Sequence, residues 1–175
     1  GGPGPGLISE AHLEQVVGVA AHAGVDYSKG ISAIRELAYQ VLALYKLNNP
    51  TKGTTVNVGV IRGGSRSNVV ADHAEMEVDV RVASVAEGER LEGLVHGLKP
   101  KTRGANLEIS GGINRPPLER TAKIVALFER AKVLAAEIGI ELTQGETGGG
   151  SDGSFTAGLG IPTLDGLGPE GAGPP

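Results

Sequence analysis

The stretch Ala74-Glu75-Met76-Glu77-Val78-Asp79-Val80-Arg81-Val82 decides the fold, because apolar and charged residues alternate along its whole length. Successive side chains of a β-strand point to opposite faces of the sheet. The segment therefore predicts a strand with one apolar face and one charged face. Such a strand is typical of an antiparallel sheet that is covered on one side only.

The segments around this strand predict the remaining elements of one small domain. Apolar residues at helical spacing indicate a long helix from about Lys29 to Leu47, and Ser84 with Glu87 forms a capping-box pattern that opens a second helix. Three further strands are expected around Val16, Val17 and Val19, around Val56, Val58 and Val60, and around Leu107 and Ile109. The order strand–helix–strand–strand–helix–strand is the split βαβ pattern. It predicts a ferredoxin-like, four-stranded antiparallel sheet with two helices on one face.

The chain divides into three parts by composition. Residues 1–13, which begin with a Gly/Pro run, are expected to form a flexible flank, and residues 14–115 the α+β domain. Residues 116–175 follow Pro116-Pro117 and predict a third helix between Ile124 and Ile138 and a short helix around Phe155–Leu159. Strands are expected at Ile140–Thr143 and Pro162–Leu164. This alternation is typical of an α/β domain, but it has too few elements to close one, so it predicts a partial α/β segment.

Composition narrows the class of protein. The net charge of −4 over 175 residues argues against a nucleic-acid partner, since phosphates attract concentrated basic surfaces. No apolar run reaches the roughly 20 residues that span a membrane. With no cysteine, the chain has no disulfide or thiolate metal site. Because no signal peptide is visible either, we expect a cytoplasmic protein.

His22 is the first candidate for chemistry. It stands in Ala20-Ala21-His22-Ala23-Gly24, where small neighbours leave space for a ligand to approach. An imidazole in such a loop can donate a hydrogen bond to a developing oxyanion. Alternatively, His22 is an ordinary polar residue on the surface with no role in chemistry.

A second candidate is the loop Gly148-Gly149-Gly150-Ser151-Asp152-Gly153, which precedes a predicted helix. Glycines let the backbone approach a ligand, and free N–H groups at a helix start favour an anion such as a carboxylate. The alternative is a flexible loop. Arg81 and Asn68 are weaker candidates: Arg81 could simply pair with Asp79 on an exposed sheet face, and Asn68 could be a turn residue.

Six segments together resemble the zinc-dependent exopeptidase and amidohydrolase family that includes glutamate carboxypeptidase, peptidase T, aminoacylase and succinyl-diaminopimelate desuccinylase. The segments follow the order of that family from His22 to Glu170 and are Ala20–Gly24, Ser67–Val70, Val78–Arg81, Thr147–Gly153, Gly160–Thr163 and Leu167–Pro169. By this resemblance, the α+β domain is a lid, or dimerisation, domain, and residues 116–175 are the C-terminal portion of a catalytic domain.

The resemblance also implies roles for the candidate residues. In the family, a metal-bound water that a glutamate activates attacks an amide carbonyl. His22 is expected to stabilise the oxyanion in the partner subunit of a homodimer. Asn68 and Arg81 are expected to hold carboxylate or carbonyl groups of a small peptide or N-acyl amino acid, and the glycine loop is expected to line the pocket. The residues expected to bind the substrate are Asn68, Arg81, Gly149, Gly150, Ser151 and Asp152.

The sequence departs from that family in the segments that bind the metal. The His-x-Asp, bridging Asp and Glu-Glu segments that hold zinc are missing, and Pro174-Pro175 stands where the last His ligand is expected. We therefore expect zinc in the complete enzyme but no metal ligand in this chain, which would be inactive alone. Two further hypotheses stay open: a non-catalytic dimerisation module that associates through its sheet edge and helix, and a free-standing carboxylate-binding protein.

Overall fold

The computed structural model describes residues 10–145 and 151–168. Its centre is a four-stranded sheet built from β1 (Glu10–Val17), β3 (Thr55–Gly63), β5 (His73–Arg81) and β6 (Asn106–Ile113). The spatial order is β3-β5-β1-β6, and every neighbouring pair is antiparallel. The predicted sheet is thereby confirmed, with β5, the strand of strict alternation, as one of its two central strands.

Two helices, α1 (Ala33–Tyr45) and α2 (Val85–His96), pack on the same face of this sheet, as predicted. The buried core between them combines the alternate residues of β5 with one face of each helix; it includes Val16, Leu37, Leu44, Ala74, Met76, Val78, Val80, Leu91 and Val95. Each helix begins at a serine cap: the Ser32 Oγ accepts from the Arg35 N–H at 3.2 Å, and the Ser84 Oγ accepts from the Glu87 N–H at 3.3 Å. The Ser32 cap places the start of α1 four residues after the predicted Lys29.

The first strand corrects two expectations about the amino-terminal part of the chain. It begins at Glu10, so the last four residues of the predicted flexible flank, 1–13, belong to the sheet. The reason is pairing on both sides, since Glu10 already lies opposite Val80 of β5 and Ile113 of β6. The strand ends at Val17, and Val19 forms only an isolated bridge with Ile31.

A second, two-stranded sheet was not predicted. It consists of β2 (Ala21–His22) and β4 (Val69–Val70), which pair antiparallel. Two short 3-10 helices, Tyr27–Lys29 and Pro50–Lys52, complete the α+β domain.

The C-terminal segment contains α3 (Ala122–Glu137) and the short α4 (Gly153–Gly158), close to the two predicted helices. The strands predicted at Ile140–Thr143 and Pro162–Leu164 are wrong: neither segment is a strand in the described part of the chain. A strand needs a neighbour to satisfy its backbone groups, and no strand among residues 116–145 and 151–168 offers one. Within the same described ranges, no helix combines the length and apolar character needed to cross a membrane.

Candidate functional site

The β2–β4 ribbon brings His22 and Asn68 together, although 46 positions separate them in sequence. His22 lies opposite Val69, and the N–H of Ala23 donates to the carbonyl of Asn68 at 2.9 Å. Both residues are exposed. Two of the sequence-predicted site residues therefore share one small surface, and backbone pairing holds them there.

The imidazole of His22 has a defined hydrogen-bond partner. Its Nδ1 accepts from the N–H of Gly24 at 3.1 Å. A neutral imidazole carries its proton on one nitrogen only, so the proton of neutral His22 resides on Nε2. The exposed ring consequently presents an N–H donor to solvent, which is the chemistry that an oxyanion stabiliser requires.

The loop that carries His22 is tied to the main sheet by close backbone contacts. The Gly18 N–H donates to the Asp72 carbonyl at 2.7 Å. A Cβ at Gly18 would come within 2.0 Å of the Ile31 carbonyl oxygen. No larger residue fits there without moving the loop. Gly18 therefore lets the backbone lie against Ile31, and this close contact positions the loop that carries His22.

Arg81 lies at the opposite end of the sheet from His22. It is the last residue of β5, whereas the His22 loop adjoins the first residue of β5, His73, through Asp72. Nine residues of strand span roughly 25 Å. The Arg81 Nε donates to the Asp79 Oδ2 at 2.8 Å, which confirms the pairing that the sequence left open. The structure thus does not bring Arg81 to the His22–Asn68 pair.

The glycine loop is only partly described. Gly149 and Gly150 lie outside the described residues. The Ser151 Oγ accepts from the Gly153 N–H at 3.0 Å, and the side chain of Asp152 is 95% exposed. These two residues precede α4, which has only six residues.

Arg115 is a residue near this loop that sequence reasoning missed. Its guanidinium lies 3.4 Å from the Asp152 carboxylate and 5.1 Å from the centre of the Phe155 ring. The sequence signal was present in Asn114-Arg115-Pro116-Pro117, but it was read only as a domain boundary. Arg115 joins the end of the lid to the start of α4 by an ion pair and a cation–π contact.

The junction between the lid and the C-terminal segment has two further features. The Glu119 carboxylate accepts from the Val85 N–H at 2.8 Å, at the first turn of α2. Beside it lies an open cleft of about 480 Å³, lined mainly by apolar residues that include Val85, Pro116, Pro117, Ile124, Ile161 and Pro162. Of the sequence-predicted site residues that the structure describes, none lines this cleft.

Across residues 10–145 and 151–168, no three His, Asp or Glu side chains lie close enough together to hold a metal ion. These residues therefore do not fit the zinc that the resemblance implies.

Comparison with known proteins adds three relatives. The chain is 32% identical to the uncharacterized protein YqjE of Bacillus subtilis and 26% identical to carboxypeptidase G2 of a Pseudomonas species. These matches cover 86% and 90% of this chain but 41% and 39% of the relatives. The crystal structure of aminopeptidase PepT from Bacillus cereus superposes with a TM-score of 0.76 at 28% identity, over 94% of this chain and 45% of that one. The chain thus spans about two fifths of the length of the curated relatives it matches.

The family match concerns the α+β domain. Residues 7–99 match the family described as the peptidase dimerisation domain, which is more than half of the chain. The match includes β1 to β5, both helices of the lid, and His22, Asn68 and Arg81. The chain belongs to the peptidase dimerisation domain family.

Proposed function

We propose that this chain is the lid, with the adjoining C-terminal part of the catalytic domain, of a homodimeric hydrolase. Residues 14–115 form the lid in this proposal, extended by β1 to Glu10, and residues 116–175 belong to the catalytic domain. The reaction is cleavage of the amide bond of a small peptide or N-acyl amino acid. Relatives named as peptidases and the dimerisation-domain match support this assignment.

One observation carries the proposal: the candidate site residues lie at opposite ends of one sheet. Arg81 lies at the end where the chain leaves the lid for residues 116–168, because β6 ends at Ile113 beside the start of β1. His22 and Asn68 lie roughly 25 Å away at the other end. They are therefore too far from Arg81 to contact the same small substrate within one subunit. In a dimer they can complete the site of the partner.

The proposed role of His22 follows from its tautomer. With Nδ1 accepting from Gly24, Nε2–H is the free donor of the neutral ring. It would donate to the carbonyl oxygen as negative charge develops there during attack on the amide. Asn68, beside it, is proposed to bind a carbonyl or carboxylate oxygen. Arg81 offers a guanidinium for the substrate carboxylate, and Gly149, Gly150, Ser151 and Asp152 are proposed to line the pocket.

Zinc is proposed to belong to the complete enzyme and to be held by residues other than those of this chain. It would activate the attacking water and polarise the carbonyl. We also propose a cytoplasmic location and no nucleic-acid or membrane partner, on the charge and composition given above.

The test of the trans arrangement is complementation in the full-length protein. His22→Ala and Arg81→Ala homodimers should each lose about 100-fold or more in kcat/KM, the scale measured when an oxyanion donor is removed. Mixing the two variants should restore activity, because each mixed dimer has one site with both residues intact. Mixed dimers without activity would show that His22 and Arg81 serve the same subunit, which contradicts the proposal.

The alternative function is a non-catalytic dimerisation module. Such a module would form the same homodimer but would not cleave an amide bond. A full-length protein that binds no zinc and leaves N-acyl amino acids and small peptides uncleaved would favour it, whereas zinc-dependent release of amino acid would exclude it.

A further inference from the structure

We propose that Asp165-Gly166 is a site of spontaneous covalent modification, at which the backbone of the chain attacks its own side chain and converts the aspartate to isoaspartate. The co-reactant is water. The proposal is independent of the hydrolase and of its dimer, and goes beyond both. It rests on the contact inside this dipeptide, on the lack of restraints around it, and on the contrast with a second Asp-Gly dipeptide, Asp152-Gly153.

The reacting atoms of Asp165 and Gly166 already lie next to each other. The Gly166 N–H donates to the Asp165 Oδ1 at 2.8 Å. Because Oδ1 is bonded to Cγ, this contact keeps the Gly166 nitrogen beside the carbonyl carbon of the side chain. Reacting atoms that are already held in contact need to give up little further freedom to react. Gly166 also has no side chain that would shield its nitrogen.

The reaction is a ring closure followed by hydrolysis. In the closure, the Gly166 nitrogen forms a bond to the Asp165 Cγ and loses its proton to solvent, while the protonated side-chain oxygen leaves as water. The product is a cyclic imide, a succinimide. Water then adds to one of its two carbonyl carbons: cleavage of the bond from nitrogen to Cγ restores aspartate, and cleavage of the bond from nitrogen to the main-chain carbonyl carbon gives isoaspartate. One water is released and one is taken up, so nothing is oxidised or reduced.

The folded chain leaves this dipeptide without restraint. Both residues are exposed, and they lie in the segment 161–168, which follows α4 and contains no helix or strand. Gly166 has φ +74°, in the left-handed region that glycine adopts without strain. Within residues 10–145 and 151–168, no backbone hydrogen bond to another residue holds Asp165 or Gly166. The rotation that closes the ring therefore breaks no hydrogen bond outside the dipeptide.

Asp152-Gly153 is the same dipeptide in a restrained setting. The Gly153 N–H donates to the Ser151 Oγ at 3.0 Å rather than to the Asp152 carboxylate, and that carboxylate lies 3.4 Å from the Arg115 guanidinium. Asp152 has helical backbone angles, φ −68° and ψ −23°. Its carbonyl accepts from the Phe155 N–H at 3.2 Å, in the first turn of α4. Ring closure there would disrupt both the start of α4 and the ion pair, so the fold protects this dipeptide.

Isomerisation at Asp165 changes the main chain and not only one side chain. In isoaspartate the main chain runs through Cβ and Cγ, which lengthens it by one atom, and the α-carboxylate becomes a side group. Leu167-Gly168-Pro169 follows directly. The extra atom is therefore expected to displace the segment that carries the last part of the family resemblance.

Peptide mapping of the full-length protein tests the proposal. The protein is kept for days at physiological temperature and pH and then digested, and electron-transfer fragmentation of its peptides distinguishes isoaspartate from aspartate. We expect isoaspartate to form at Asp165 at least about 10-fold faster than at Asp152, because only Asp165 is free to close the ring. In water labelled with heavy oxygen, each isoaspartate should carry one labelled oxygen, since hydrolysis of the succinimide adds one water.

Asp165→Glu is the matched variant, because it keeps the carboxylate but would have to close a larger ring. It should form no isomer at this position, whereas Asp152→Glu should leave the reaction at Asp165 unchanged. In concentrated urea, where both dipeptides lose their folded surroundings, the two rates should become similar.

Three results would overturn the proposal. The folded protein could form no isoaspartate at Asp165, or it could form isoaspartate at Asp152 just as fast. The preference for Asp165 could also persist unchanged in urea, which would assign it to the neighbouring residues in the sequence rather than to the folded structure.

Discussion

Asn48 and Val56 form a closed pair of hydrogen bonds in which a side-chain amide takes the place of a neighbouring strand. Oδ1 and Nδ2 of Asn48 bond the N–H and the carbonyl of Val56 at 2.9 and 3.1 Å. The pair lies at the free edge of β3, where unpaired backbone groups would otherwise invite another strand. It closes the near half of that edge to further pairing.

Replacing Asn48 by alanine is expected to lower the free energy of unfolding by about 1–2 kcal/mol, because the two hydrogen bonds to Val56 and a third to the Tyr45 carbonyl are lost and Val56 is left unpaired. Urea denaturation measures this change. Asn57→Ala is the control, since Asn57 is an exposed residue of the same strand and should cost less than about 0.5 kcal/mol. Equal losses in both variants would mean that the amide pairing has no special effect.

Glu36 gives a second prediction, because its buried carboxylate holds the 99–102 turn. It accepts from the N–H groups of Lys101 at 3.0 Å and Thr102 at 2.6 Å, and from Gln40 Nε2 at 2.5 Å. Burial raises the pKa of Glu36, but these hydrogen bonds outweigh that effect and keep the pKa below its usual range. The group therefore stabilises the folded state as a carboxylate.

We expect Glu36→Gln to lower the free energy of unfolding by about 1–3 kcal/mol, since an amide cannot accept all three bonds and brings its own donors toward N–H groups. Thermal unfolding at neutral pH is the measurement. The exposed Glu89→Gln on α2 is the control. Equal stability of the Glu36→Gln variant and the wild type would contradict the role of the carboxylate.

Acid stability provides a third prediction through Glu87. The hydrogen bond from Arg90, together with one from Thr54, lowers the pKa of Glu87 to about 2 despite its burial. Because the folded pKa lies below the unfolded value of about 4.5, the stabilisation is complete above pH 4.5 and is lost as the pH falls toward 2. Glu87→Gln should therefore lose stability at pH 6 and show a flatter decline between pH 4.5 and 2.

The pH series is read from urea midpoints at each pH, with Glu89→Gln again as the control. A Glu87→Gln variant with the same pH profile as the wild type would assign the acid lability to other carboxylates.

Two glycine substitutions are expected to change stability in opposite directions. Gly18→Ala should destabilise the lid by at least about 2 kcal/mol, because its Cβ would lie 2.0 Å from the Ile31 carbonyl oxygen. Gly93→Ala, within α2 and with no atom within 4 Å of the added Cβ, should stabilise it by about 0.5–1 kcal/mol. Calorimetry of both variants measures the signs, and destabilisation by Gly93→Ala would contradict the open space beside α2.

Local patterns predicted most of the lid. The alternation in β5, the helical spacing of apolar residues in α1 and the serine cap of α2 are short-range signals, and the structure has the predicted elements close to where those signals stand. The prediction was poorest at the first and last residues of the strands and helices. Nothing local marks Glu10 as strand, because its place in the sheet depends on β5 and β6, which follow more than 60 residues later.

The two strands predicted after residue 139 show the opposite error. Ile140–Thr143 and Pro162–Leu164 have the composition of strands, but a strand exists only where a neighbour accepts its hydrogen bonds. The described residues of this segment provide none. Composition alone cannot detect that absence.

The sequence by itself determined the layered α+β domain and supplied the candidate site residues, because periodicity, caps and residue chemistry are properties of short segments. Only the tertiary structure decided how those residues are grouped. It placed His22 beside Asn68 through the β2–β4 ribbon and left Arg81 at the far end of β5. Among the described residues, it also left the end of β3 beyond the bulge between Val58 and Val60 without a neighbouring strand on its outer side. These relationships depend on which strands pair and in what register, and long-range pairing is settled by the packing of the whole sheet.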